Sequence, residues 1–209
     1  MRRLKGNVRT TFEKHRWLGT LMVQQPFPCA LVNVGALPAV EAIQLFLKHR
    51  PNSRWVLLGQ HAVQSTPQMW TAWIQASRNE LRDGMVARSV DAEFLRFLAG
   101  THHISEAFSR AGLQENQSSA WITFVPEAIG QPNDLGHLQP MPGDVDAFEG
   151  ELQTVASVLG WEVESTEAIL SIEGMRTLGI DVEGWPEDRL EEALLSHILM
   201  ADDQSSSHR

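Results

Sequence analysis

Cysteine is almost missing from this sequence: Cys29 is the only one in 209 residues. A single thiol excludes an intramolecular disulfide and any cysteine-based zinc cluster. It fits a reducing compartment, so a cytoplasmic location is expected. Tyrosine is absent altogether, beside seven tryptophans. No apolar run approaches the ~18 residues that a membrane-spanning helix needs. Arg2, Arg3 and Lys5 are not followed by an apolar stretch of the secretory kind, so no signal peptide is expected. No internal repeat is visible. HExxH, GxSxG, the P-loop and GxGxxG are all missing, which leaves no recognisable nucleophile or phosphate-transfer machinery. That absence alone decides little, but it agrees with a non-enzyme without a cofactor.

What is present is ordinary in bulk and uneven in distribution. Hydrophobic residues make up 43% and charged residues 21%, as in a soluble globular chain. The net charge is −9, but residues 1–114 carry +7 and residues 115–209 carry −16. So polarised a chain can turn a basic face to phosphates and an acidic one to another partner; the plainer reading is an acidic surface that maintains solubility. Length favours one domain, over 15–201. Residues 1–14 read as a flexible basic end, either an arm for nucleic acid or a frayed terminus, and 202–209 as a disordered tail.

Taken in order, Trp17–Val23 reads as a first strand and Cys29–Val34 as a buried one. A helix follows with Pro38 in its first turn, Val40, Ile43, Phe46 and Leu47 inside, and Pro51 after it. Trp55–Leu58 returns as a strand, giving strand–helix–strand spacing that suits a βαβ unit whose strands need not be adjacent. Thr66 and Pro67 open a helix with Trp70, Trp73, Ile74, Ser77 and Leu81 on its packing face. Aromatics at that spacing are usually core, with stacking on a base the minority reading. Ala120–Val125 is a strand and 126–143, dense in Gly and Pro, a long surface loop. Helices are expected from Asp144 to Gly160 and over Thr166–Arg176, and Leu178–Ile180 as a small turn or strand. A last helix over Pro186–Ala201 has apolar residues around most of its circumference, wider than the ~100° that one-sided packing needs. The fold class is thus α/β: a small mixed central sheet of about four strands flanked by helices.

The stretch Ala87–Leu113 organises the rest. Val90, Phe94, Phe97 and Leu98 form one helical stripe, with Ser89 and Asp91 at its start and Gly100 suited to a left-handed end. Ile104, Ala107, Phe108 and Ala111 form a second. His103 with Glu106 imitates a capping box, which puts Thr101, His102 and His103 at a helix mouth whose free N–H groups favour an anion. The runs Glu93-Phe94-Leu95, Leu98 to Phe108 (LAGTHHISEAF) and Ala111-Gly112-Leu113 resemble the Cgi-type kinase-binding subunit of the KEOPS/EKC complex. The resemblance implies a regulatory, non-catalytic subunit in tRNA modification, the making of threonylcarbamoyl-adenosine next to the anticodon. It implies docking on the complex's small atypical kinase/ATPase and, as in archaeal members, a grip on the single-stranded 3′ CCA end of tRNA. Many archaeal members have Arg-Gln where this chain has His102-His103.

Two sets of candidate residues follow. For RNA they are Arg78, Arg82, Arg88, Thr101, His102, His103 and Arg110, which combine backbone-facing cations with planar groups for stacking. The competing structural reading has Thr101–His103 merely capping a helix and Arg88 paired with Glu93 or Asp91. For the kinase partner they are Leu190, Leu194, Leu195, Ile198 and Leu199 on the last helix, the alternative being a helix buried in its own domain. A metal-dependent hydrolase using His61, His102 and His103, with His137 or carboxylates, is the rival class, though consecutive histidines diverge by ~100° on a helix. A purely structural adaptor without RNA contact is a third. Neither a metal nor membrane or DNA binding is expected.

Overall fold

Alternation along the strands decides the layering. Val56 and Leu58 join one buried cluster and Trp55 and Leu57 the other, as successive side chains of a pleated strand must. The computed structural model describes residues 25–133 and 138–203. The expected strand at Trp17–Val23, the basic end 1–14 and residues 204–209 of the tail lie outside them.

Within the described residues the order is β1 (Cys29–Asn33), α1 (Ala39–His49), β2 (Trp55–Gly59), a 3-10 turn (Gln60–Ala62), α2 (Thr66–Leu81), α3 (Val90–Leu98), α4 (Ile104–Ala111), β3 (Ser119–Phe124), β4 (Ala128–Ile129), β5 (Gln139–Pro140), α5 (Asp144–Leu159), β6 (Glu162–Glu164), α6 (Ile172–Thr177), a second 3-10 turn (Glu187–Arg189) and α7 (Leu190–Leu199). The main sheet has the order β2-β3-β1-β6. α2, α3 and α7 contribute to the cluster on one face, α1 and α5 to the cluster on the other. β4 and β5 form a separate two-stranded hairpin inside the expected loop.

Every neighbouring pair in the main sheet is antiparallel, so the sheet is not mixed. β1 and β2 do run parallel to each other, as the βαβ spacing requires. β3, arriving after α4, inserts between them and runs against both, pairing Trp121 with Leu31 on one side and Leu58 on the other.

Other departures have local causes. In α1 the buried residues are Ala39, Ala42 and Phe46, while Val40 and Leu47 face outward at 58% and 50% exposure. Ala39, Ala42 and Phe46 take the inward positions against the second cluster, which leaves Val40 and Leu47 on the outer side. The helix expected over Thr166–Arg176 exists only as α6; Thr166–Leu170 is irregular, and Leu178–Ile180 is turn. Phe108, expected inside α4, is 52% exposed, because Ala107 and Ala111 take the inward positions.

Candidate functional site

The junction between α3 and α4 is built from backbone carbonyls held by distant side chains. Gly100 takes the left-handed conformation, with φ +56°. The Ala99 carbonyl accepts from His197 Nε2 of α7 at 2.9 Å and from Arg110 Nη1 at 3.2 Å. The Thr101 carbonyl accepts from Arg96 Nη1 at 3.3 Å. Thr101, not His103, does the capping: its Oγ1 accepts from the His103 N–H at 3.1 Å and donates to Glu106 Oε2 at 2.5 Å. His103 makes no side-chain cap. Glu106 in turn pairs with Arg110 Nη2 at 2.6 Å.

The seven residues expected at an RNA site therefore divide by role. Thr101 is fully buried, and Arg110 is half-buried between Ala99 and Glu106. Both hold the junction together. His103 is exposed; His102 is half-buried, with Nδ1 enclosed and unpartnered among the described residues. The two rings stand edge to face, 6.3 Å apart. Arg88 is exposed and free among the described residues. Its expected partners are engaged elsewhere, Asp91 by Arg50 and Glu93 by Arg96. Arg82 donates to the Pro132 carbonyl at 2.6 Å. Burial, with the like charge of Arg82, pushes the Arg78 guanidinium below its usual range.

These residues do not form one patch. Arg88 precedes α3 and His102-His103 follow it, and a helix of nine residues is about 13 Å long. Arg88 and the histidines thus stand at opposite ends of α3. Trp70 and Trp73 are 2% and 0% exposed, which removes them as stacking platforms.

On α7, Leu190, Leu194 and Ile198 are buried in the domain's own core. A side chain fully occupied there cannot also meet a partner, which corrects three of the five expected contacts. Leu195 is half-buried, while Leu199 and Met200 are 55% and 52% exposed.

The metal-site alternative finds little support. Both ring nitrogens of His61 are taken: Nε2 donates to the Arg110 carbonyl at 2.6 Å and Nδ1 accepts from Gln117 at 3.0 Å. Burial also lowers its pKa, against the smaller raising effect of that carbonyl. No grouping of three or more His, Cys, Asp or Glu suited to a metal occurs among the described residues, and His137 is not one of them.

The sequence profile of the family described as kinase binding protein CGI-121 matches residues 38–143, from the start of α1 to the loop before α5. The chain belongs to the CGI-121 family. The match spans α3, α4 and the junction between them, so the elements that carry the histidines are the family's own. α7 lies beyond it. No individually curated protein matches this CGI-121 chain. As a family member it is a kinase-binding protein.

Two structural residues escaped sequence reasoning. His197 lies on a helix read only for its apolar arc, and its partner is a carbonyl 98 residues away. Arg96 of α3, given no role from the sequence, is fully buried. An Arg three residues after a Glu inside an apolar stripe was the available signal.

Proposed function

We propose that this CGI-121 protein is a non-catalytic accessory subunit of a KEOPS-type complex. It binds and activates the small kinase/ATPase subunit, and it recruits tRNA through the 3′ CCA end for threonylcarbamoylation next to the anticodon. The carrying observation is the unspent apolar surface at the end of α7. Leu199 and Met200 stay exposed beside Leu195, on a helix whose other face fills the core, in a protein whose family binds kinases. The test is co-purification with the kinase. Leu199→Asp with Met200→Asp should weaken docking by at least about 30-fold, the size of an interface hot spot of ~2 kcal/mol. The thermal unfolding midpoint should stay unchanged. A variant that still co-purifies places the interface elsewhere.

The RNA half rests on Arg88, unpaired among the described residues, and on the exposed His103. Arg88→Ala should weaken binding of CCA-ended tRNA and reduce the dependence of log affinity on log salt by ~0.7–0.9, one phosphate contact. His103→Ala should weaken it with little change in that slope, as loss of a stacking ring does. Equal affinity for tRNA with and without CCA would favour the adaptor reading. Affinity unchanged by either substitution at two salt concentrations would remove these residues from the site.

A further inference from the structure

At the start of β1 the two buried clusters meet in an open groove of about 850 Å³. Phe27 lines it from one cluster, Phe148 and Leu152 of α5 from the other. Cys29, Ala30, Val145 and Val163 line it too, and each is only half-buried. The sheet edge is open at the same place. β3 pairs with all five residues of β1, but β6 pairs only with Leu31–Asn33. Cys29 and Ala30 therefore have no strand neighbour on that side. An open edge flanked by half-covered apolar side chains is a surface that folded proteins cover.

The chain itself leads to this groove. Pro26 lines it, and the Gln25 carbonyl accepts from Trp70 Nε1 at 2.8 Å, which fixes the point from which residues 1–24 depart. Only Gln24 separates that point from the apolar run Trp17–Val23. Seven extended residues reach at most ~25 Å, while Val145–Leu152 spans only about 10 Å of α5. A run tethered so closely meets the groove at an effective concentration on the order of millimolar, ahead of any free partner. Charge agrees with it: Lys14 and Arg16 precede the run, and Asp146 and Glu149 in the groove wall have no ion pair among the described residues. We infer that Trp17–Val23 docks in this groove, with Lys14 and Arg16 against Asp146 and Glu149, so that the amino-terminal segment covers the open end of the sheet. The inference stands apart from the α7 docking surface and from tRNA binding.

The test uses the full chain with Cys29→Ser and Thr20→Cys, and a nitroxide attached at position 20. The methyl NMR signals of Leu152 and Val163 should lose most of their intensity until the label is reduced. Those of Met69 and Ala168, which pack with the other cluster, should keep theirs. Adding Asp146→Lys and Glu149→Lys should restore part of the lost intensity. Independently, Trp17→Ser with Leu21→Ser in the otherwise native chain should speed alkylation of Cys29 by iodoacetamide about tenfold, the loss of a cover worth ~1.4 kcal/mol. Four results would each overturn the inference: unchanged methyl signals, unchanged alkylation, intensity lost at Met69 and Ala168 instead, or intensity lost in an unlabelled copy mixed with the labelled one. The last would make the occupant a second copy of the chain.

Discussion

Arg96→Ala is expected to cost about 3–5 kcal/mol, because it leaves a carboxylate buried without its counter-charge. The Glu93 and Arg96 side chains are both 0% exposed. Arg96 Nη2 meets Glu93 Oε1 at 2.7 Å and Asp202 Oδ1 at 2.8 Å, and the guanidinium lies 4.2 Å from the Phe97 ring centre. Glu93 also accepts from Asn79 Nδ2 at 2.7 Å and from the N–H groups of Val86 and Ala87 at 3.1 and 2.9 Å. One pair thus ties α3 to α2, to the loop before it and to the residues after α7. A whole domain of this size is stable by only ~5–15 kcal/mol, so the loss should show as a large drop in urea midpoint. Replacing both partners with apolar residues, Glu93→Leu and Arg96→Met, should cost less than Arg96→Ala alone. Burial raises the Glu93 pKa, but the bonds from Arg96, Ala87 and Asn79 outweigh it and hold it below the usual carboxylate range. The pair's stabilisation is therefore complete above that range and is lost as pH falls through the depressed value. Urea unfolding at pH 7 and at a pH below the usual carboxylate range should show it, and Glu93→Gln should flatten the difference. A single variant as stable as wild type would refute this account.

Helix positions were readable in the sequence wherever one face was apolar and its ends were marked. α2 is the clearest case, with Pro67 in its first turn, although the cap is Ser65 rather than the expected Thr66: Ser65 accepts from the Gln68 N–H and Gln68 completes the capping box. β1, β2 and β3 were legible as short apolar runs between breakers. β6 was not, because two of its three residues, Glu162 and Glu164, are charged and it becomes a strand only by pairing with Leu31–Asn33. The order of strands was hidden for the same reason: inserting β3 between β1 and β2 is a long-range choice that no local pattern records. At the candidate site, the types were legible and the roles were not. Thr101 and Arg110 look like ligand groups in a one-dimensional list, yet each is spent on the junction. The wide apolar arc of α7 did signal a helix with two demands, but the division between Ile198, buried, and Leu199, exposed, depends on how α7 lies against α2.

Gly100→Ala should destabilise the protein by about 2–5 kcal/mol, from two separable causes. At φ +56° an L side chain pays roughly 1–2 kcal/mol for the left-handed conformation. The added Cβ would also run into the His197 ring, and forcing extra volume into packed space costs about 1–3 kcal/mol more. The second cause alone depends on the ring. Removing it with His197→Ala forfeits the bond to the Ala99 carbonyl, worth ~0.5–1.5 kcal/mol, and leaves the strained backbone in place. The double variant should therefore be more stable than the sum of the two single losses predicts, by about 1 kcal/mol or more, the excess being the relieved clash. Strict additivity in urea unfolding would mean that α7 does not rest on this turn. Excess stability would show that the end of α7 and the turn leading to His102-His103 are packed as one body, which no stripe of apolar residues on either helix could reveal.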